Sequence, residues 1–367
     1  MNNLSADIYL SIVIRIRNDD HGGNMLRRMQ VSLNGLLEQL ERYRIESELI
    51  LVEANPPSDK PLLTNIIKWP DRLRYCTIRV VIVSPLVHQR YKYSDKMPMY
   101  TIIAGNCGVR RSRGRFILPG TIDALYSEEL MAYIASKSLK IDERYRIDRC
   151  DVNRDVLACE TLSEQLNYCN KNVIKVNGQS PQPKVPWWRQ SLDGSILPNL
   201  HTQACGDFQL MSKHYWHLLR GYREADFIGA YADTLLSYAS YAMGVREVVL
   251  KNPMCLYHID HDDKFVTTIK TEKLPLEDWF FFSFLPVWLN KKLLGLYRRF
   301  LILMGYKIKS HARGIPTLEY GEARKMCREM VAGKRSYIFN DENWGLGQDS
   351  LEEFVISTAD WDRGYEA

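Results

Sequence analysis

The sequence predicts an α/β chain, a mostly parallel sheet with helices on both faces. Three observations carry that reading. Short β-branched apolar runs alternate with helical repeats through the first half. Those runs end in clusters of Gly, Pro, Asn or Asp that stop a strand. Across 367 residues, 46% are hydrophobic and 25% charged, the balance of a folded globular chain rather than a disordered or fibrous one.

Taken in order, residues 8–17 form the first strand, closed by Asn18-Asp19-Asp20-His21-Gly22-Gly23. Asn24 is placed to cap the helix that follows. Leu26, Met29, Leu33, Leu36, Leu37 and Leu40 recur at three- and four-residue steps along it. Residues 48–53 make a second buried strand ended by Asn55-Pro56-Pro57, and 79–83 a third closed by Ser84-Pro85. A helix over 99–113 stops at Gly114, and 115–118 is the fourth strand, followed by Pro119-Gly120-Thr121-Ile122-Asp123. Ser127 caps the next helix, with Glu128 and Glu129 in its first turn, where the dipole favours negative charge. Such alternation gives a parallel sheet whose ligands sit beyond the strands' carboxyl ends. The loops 18–23, 53–57 and 119–123 should therefore face one crevice. Later, 177–199 reads as a long loop with Trp187-Trp188. A helix over 231–243 ends at Gly244, and 248–259 is a strand interrupted by Pro253.

Composition and motifs exclude several functions. The eight cysteines are scattered with no C-x-x-C, so they read as reduced thiols rather than a zinc or redox site. A net charge of +5 is too diffuse to argue for nucleic acid. Nothing at the N-terminus resembles a signal sequence, and no run reaches the roughly 20 apolar residues of a spanning helix, so the cytoplasm is the expected compartment. There is no G-x-G-x-x-G, no G-x-x-x-x-G-K-[ST] and no H-E-x-x-H. Asp341-x-Asn343 with Glu352 imitates an EF-hand loop, but Leu346 stands where its glycine belongs.

What remains is a set of carboxylates just beyond strands. Asp123 either holds a divalent cation that bridges two phosphates or accepts turn hydrogen bonds. As a loop-end carboxylate it should carry little core packing. Glu53 either meets a base or ribose or is a solvated strand end. Asp19 and Asp20 either contact a nucleotide or complement a helix dipole. Asp207 follows Cys205-Gly206. Asp233 opens a helix whose next residues are apolar, where a carboxylate can take a proton from a hydroxyl or serve the dipole. His258, and less so His261, can ligate metal.

The stretch Ile102-Ile-Ala-Gly-Asn106-Cys-Gly-Val-Arg-Arg-Ser-Arg113-Gly-Arg-Phe-Ile-Leu118 resembles the helix–turn–strand that leads into the metal-binding D-x-D of GT-A glycosyltransferases. Thr121-Ile122-Asp123 takes the D-x-D place, with only its second aspartate. Gly206-Asp207-Phe208 is similar to the acceptor-side strand of that class, Tyr231-Ala232-Asp233 to the catalytic-base motif that opens a helix, and His258 to a late metal-ligating histidine. The blocks 17–24 and 339–345 also resemble a bacterial glycosyltransferase-like family.

The resemblance implies a GT-A fold over 1–262, with a nucleotide-sugar half at 1–125 and an acceptor half at 126–262. It implies Asp123 and His258 as ligands of Mn²⁺ or Mg²⁺. Asn18, Asp19, Asp20, Glu53, Asn106, Arg113 and Thr121 would lie on the nucleotide-diphosphate sugar, Asp233 would be the general base and Asp207 would line the acceptor side. A saccharide or lipid-linked glycan is the implied acceptor, and loss of turnover or nucleotidyl transfer are the alternatives. The stretch 263–313 is hydrophobic and basic, with Trp279, Phe280, Phe281 and Phe282 at the head of a run without acidic residues. It reads either as a helical segment on an anionic membrane surface, which would make the chain peripheral on the inner leaflet, or as helices packed on the core. Residues 314–367 are expected to pack back on the catalytic domain.

Overall fold

A computed structural model describes residues 7–181, 197–225, 229–261, 269–271, 273–275, 285–304, 306, 310–312 and 314–356. The main sheet centres on β1 (Leu10–Ile16), β2 (Ser47–Ala54), β3 (Cys76–Val83) and β4 (Phe116–Pro119). All run parallel in the order β4-β1-β2-β3, with Leu10 level with both Ser47 and Phe116. Helix α1 (Met25–Arg42) makes the crossover from β1 to β2, and α2 (Pro85–His88) and α3 (Thr101–Arg111) that from β3 to β4, while β2 reaches β3 through an irregular connection with one short 3-10 turn, Leu63–Asn65. The chain continues through β5 (Ala124–Tyr126), α4 (Glu128–Ala135), β6 (Glu143–Ile147), β7 (Arg149–Val152), α5 (Leu162–Lys171) and β8 (Val173–Asn177). Next come β9 (Leu210–Ser212), α6 (Lys213–Leu219), α7 (Ala232–Ala242), β10 (Arg246–Leu250) and β11 (Leu256–Ile259). The last elements are β12 (Ile269–Thr271), α8 (Val287–Leu303), β13 (Ser310–Ala312), β14 (Ile315–Thr317), α9 (Tyr320–Val331) and β15 (Glu352–Val355).

Eight strands form the main sheet, in the order β10-β6-β9-β4-β1-β2-β3-β15. It is an α/β architecture with a large, mostly parallel sheet flanked by helices. Side chains alternate along each strand, so β1 feeds two cores. Ile12, Ile14 and Ile16 pack with Met29, Leu33 and Leu37 of α1, while Val13 packs with Ile103, Ala104 and Cys107 of α3. Beyond β4 the chain enters a second sheet, β5-β11-β7-β8. A third joins β12, β13 and β14.

Several local expectations need correction. Asn24 does not cap α1. Its backbone is left-handed and its side chain makes no cap bond, and the Met25 amide is met instead by Asp20 Oδ1 at 3.0 Å. Ser127 does cap α4 through the Leu130 amide. The single strand expected over 248–259 is two, β10 in the main sheet and β11 in the second, split at the turn holding Pro253. Trp187-Trp188 and Trp279 to Phe282 lie outside the described residues. In the C-terminal part, α9 adds Met326 and Met330 to the core on the α3 and α7 side, and β15 pairs antiparallel with β3. Among the described residues, no helix is long and apolar enough to cross a membrane.

Candidate functional site

Because β1 to β4 run parallel, their carboxyl ends emerge on one edge, and the loops there bind one another. Arg17 Nε donates to the Asn55 carbonyl oxygen at 2.8 Å, and Asn18 Nδ2 to that of Pro61 at 3.0 Å. Asp19 pairs with Arg17 and accepts from the His21 amide. Two of the three loops expected to share a crevice are thereby brought together.

Asp123 sits at the turn from β4 into β5, nearly sealed from solvent. Its backbone oxygen accepts from the Ile259 amide at 2.9 Å, which brings the end of β11 against it. His258 Nε2 lies 3.6 Å from Asp123 Oδ1 and His261 Nε2 3.2 Å from Oδ2. Thr121 donates to Oδ1 at 2.7 Å. Arg28 of α1 approaches from the other side, with Nη1 on Oδ2 and Nη2 on the His21 carbonyl oxygen. The two side chains are only 1% and 3% exposed, so this is a buried ion pair. Burial pushes the Asp123 carboxyl up, but the His261 hydrogen bond, the His258 charge and the Thr121 hydroxyl outweigh it and leave the carboxyl far below its usual range. Burial pushes the His258 imidazole down, and Asp151, Asp123 and Asp207 more than reverse that. Gly22 makes the close approach possible. Its φ is +72°, and a Cβ there would stand 2.6 Å from His261 Nδ1 and 2.9 Å from Arg28 Nη2.

Asp123, His258 and His261 present ligand atoms that all lie within 4.8 Å of one another, and the three could hold a metal ion. The donor set, one carboxylate and two imidazoles, has the chemistry of a divalent-metal site, although each imidazole faces a different oxygen of Asp123 and Oδ2 is shared with Arg28. His258 Nδ1 faces Asp151 Oδ1 at 3.4 Å, whereas His261 Nδ1 has no hydrogen-bond partner among the described residues.

The second carboxylate group lies on the turn before β9. Asp207 Oδ2 is 2.7 Å from Arg149 Nη1, and Arg149 Nε is 2.9 Å from Asp151, which in turn faces His258 Nδ1 at 3.4 Å. Asp233 stands in the first turn of α7. Its Oδ2 accepts from the buried Cys205 thiol at 3.1 Å, and a Cβ on Gly206 would lie 3.4 Å from that same oxygen. The 205–207 turn therefore links Asp233 to Asp207, and Asp207 is linked to the histidine cluster through Arg149 and Asp151. Arg144, fully buried, contacts Gln209 at 3.4 Å, and Gln209 Nε2 donates to the Asp233 backbone oxygen at 3.1 Å, fixing where α7 begins.

Other expected donor residues are placed differently. Glu53 is not a solvated strand end. It is fully buried, and it accepts from the Leu63 amide at 2.7 Å, pinning the 55–65 connection. Asn106 is fully buried in α3 and exchanges hydrogen bonds with the backbone of Tyr222 and with Glu224. Its place is a clamp on the 220–224 loop. Arg113 precedes β4, at the amino edge, where its amide meets Glu48; the crevice is on the opposite edge.

Arg28, Arg149 and Asp151 were not singled out from the sequence. Arg28 had a readable signal, since a cation one residue before Met29 on the core-facing period of α1 needs a buried partner. Arg149 and Asp151 had none, because their partners lie up to 107 positions away in the chain.

No protein-family model matches the chain, and no curated protein matches it. Among solved structures it is similar to S. aureus TarS 1-349, at 13% identity and a TM-score of 0.41 over 89% of this chain and 71% of that one. The same protein in complex with UDP-GlcNAc gives 14% identity and a TM-score of 0.42, over 89% and 71% of the two chains. The longer S. aureus TarS gives 13% and 0.39, over 89% of this chain and 43% of that one. A likeness of this size does not extend to residue roles.

Proposed function

We propose that the chain is a GT-A-type glycosyltransferase that moves a sugar from a nucleotide-diphosphate donor to an acceptor hydroxyl. The observation that carries this reading is the Asp123, His258 and His261 cluster at the carboxyl edge of a parallel sheet, the edge where such sheets bind ligands. Asp123, with the two imidazoles, would hold Mn²⁺ or Mg²⁺, which supplies charge stabilisation to a departing diphosphate. Asn18, Asp19 and Asp20 rim the same crevice and would face the nucleoside, while Thr121 orients the Asp123 carboxylate.

Asp233 is the favoured base. Among the described residues its carboxylate meets neutral donors, the Cys205 thiol and its neighbour's amide, whereas Asp207 is held by the Arg149 guanidinium. In the step proposed, Asp233 takes the proton of the acceptor hydroxyl and that oxygen bonds to the sugar's anomeric carbon. The bond from that carbon to the diphosphate oxygen breaks, its electron pair leaving with the diphosphate. One such displacement inverts the carbon. Asp207 would line the acceptor side.

The Arg28 contact favours a second reading, a fold that binds donor without turnover. A guanidinium already neutralises one Asp123 oxygen, where a metal would otherwise bind. Thermal-shift measurements with UDP-, GDP-, CMP- and dTDP-sugars, with and without Mn²⁺, separate the two, since a ligand of the folded state raises its apparent stability. A Mn²⁺-dependent rise with one donor, together with slow donor hydrolysis, is expected. Binding without hydrolysis supports the second reading, and no rise with any donor refutes both. Undiminished hydrolysis in excess EDTA removes the metal from the first.

A further inference from the structure

Helix α8 carries a surface that the candidate site does not use. Asn290 is buried and donates to the Leu285 carbonyl oxygen at 3.2 Å, the Tyr297 hydroxyl reaches the Pro275 carbonyl oxygen, and the helix touches α9. These contacts fix which side of α8 faces the protein. On another side, Trp288, Lys292, Leu296 and Phe300 recur every fourth residue and so form one stripe. Trp288 is 62% exposed, Leu296 59% and Phe300 56%. Val287 at 65% and Met304 at 72% extend the apolar surface past both ends. Scattered exposed apolar residues are ordinary, but several bulky ones gathered along one side of a helix call for a partner.

The charge pattern says which partner. Lys292 lies within the stripe and Lys291 beside it, both exposed, and Lys292 Nζ is 5.6 Å from the centre of the Trp288 ring. From Trp279 to Leu318 the sequence holds seven Lys or Arg and no Asp or Glu. A face for another protein's core would be depleted in lysine at its centre. A helix lying in a lipid interface instead places bulky apolar residues at headgroup depth, with cations reaching the anionic headgroups. Since α8 is too short and too charged to cross a bilayer, it would lie in the surface plane.

We propose that the Trp288, Lys292, Leu296 and Phe300 stripe of α8 docks this protein on an anionic lipid surface. Binding needs no donor, so its outcome is independent of the glycosyl-transfer reading. The experiment is sedimentation of the full chain with vesicles of phosphatidylcholine alone or of equimolar phosphatidylcholine and phosphatidylserine. Sedimentation is expected with the mixed vesicles, weakening as salt is raised. Lys291→Gln with Lys292→Gln should weaken it about 30-fold, from about 1 kcal/mol per cation near the surface. Trp288→Ser, Leu296→Ser and Phe300→Ser together should abolish it. These positions are exposed, so circular dichroism should be unchanged in both variants. Full sedimentation by the folded serine variant would overturn the proposal. So would equal binding to neutral vesicles, or concentration-dependent self-association that the serine changes abolish in a chain that never sediments with lipid.

Discussion

Asp123→Ala should destabilise the protein as well as silence it. Arg28 is 1% exposed and its guanidinium leans on Asp123 Oδ2, so truncating Asp123 leaves a buried cation whose remaining hydrogen-bond partners among the described residues are the Gly23 and His21 carbonyl oxygens. Breaking a buried pair from one side costs about 3–5 kcal/mol. The expectation that a loop-end carboxylate carries little packing is therefore corrected by its burial. Arg28→Met should cost less, because His258 and His261 remain beside the carboxylate. The double variant Arg28→Met with Asp123→Ala leaves no unpaired charge, and should be more stable than Asp123→Ala alone. Urea unfolding of the four proteins measures this as a double-mutant cycle. A loss below about 1 kcal/mol for Asp123→Ala, or costs that simply add in the double variant, would refute the reasoning.

Asp233→Asn keeps shape and hydrogen bonding but cannot take a proton; transfer should fall about 10²–10⁴-fold with donor affinity kept, and a collapse of affinity at unchanged turnover would transfer the base role to Asp207. Gly345→Ala should lower the urea midpoint, because Gly345 has φ +61° and a Cβ there would stand 2.5 Å from the Asn106 carbonyl oxygen; a cost of about 1–3 kcal/mol is expected, and an unchanged midpoint would count against this packing of the C-terminal block on α3. The pH dependence follows from the histidines: burial, then the Arg146 charge, holds His201 below the ordinary value despite Asp148, and burial does the same for His88 and His217. The unfolded chain binds those protons more readily, so their contribution is full above about pH 6.5 and is lost as pH falls below it. His258 is raised and acts in the opposite sense, but its window lies above about pH 6.5; unfolding midpoints should therefore fall as the pH is lowered from about 6.5 to 5, and a midpoint that rises over that range would contradict the burial of these rings.

Much of the fold was legible because its causes are local. The β-branched runs of β1 to β4, the leucine period of α1 and the Ser127 cap each depend on neighbours within a few residues. Parallel order then follows from the long crossovers, two of them helical, and that places Asn18, Asp19, Asp20, Thr121 and Asp123 on one edge. Asp123 itself could be singled out because the short turn after the Phe-Ile-Leu strand sets a carboxylate at the carboxyl edge of the sheet. Arg113 was misplaced for a related reason. Proximity in sequence to the Phe-Ile-Leu strand does not tell which end of that strand a side chain attends.

Tertiary structure decided the rest, because it turned on which charges are buried together. Glu53 and Asn106 have the chemistry of ligand contacts, and only the Leu63 and Tyr222 backbones beside them make them clamps. His261 joined His258 because β11 runs antiparallel to β5, which carries both rings back to Asp123. Arg28 reached the same carboxylate from a helix 95 positions earlier. The sequence by itself determined strands, helices and the edge where a ligand would sit, all consequences of short-range sterics and periodicity. The pairing of Arg28, Asp123, His258 and His261 needed the fold, since a buried charge is stable only beside partners that long-range topology supplies.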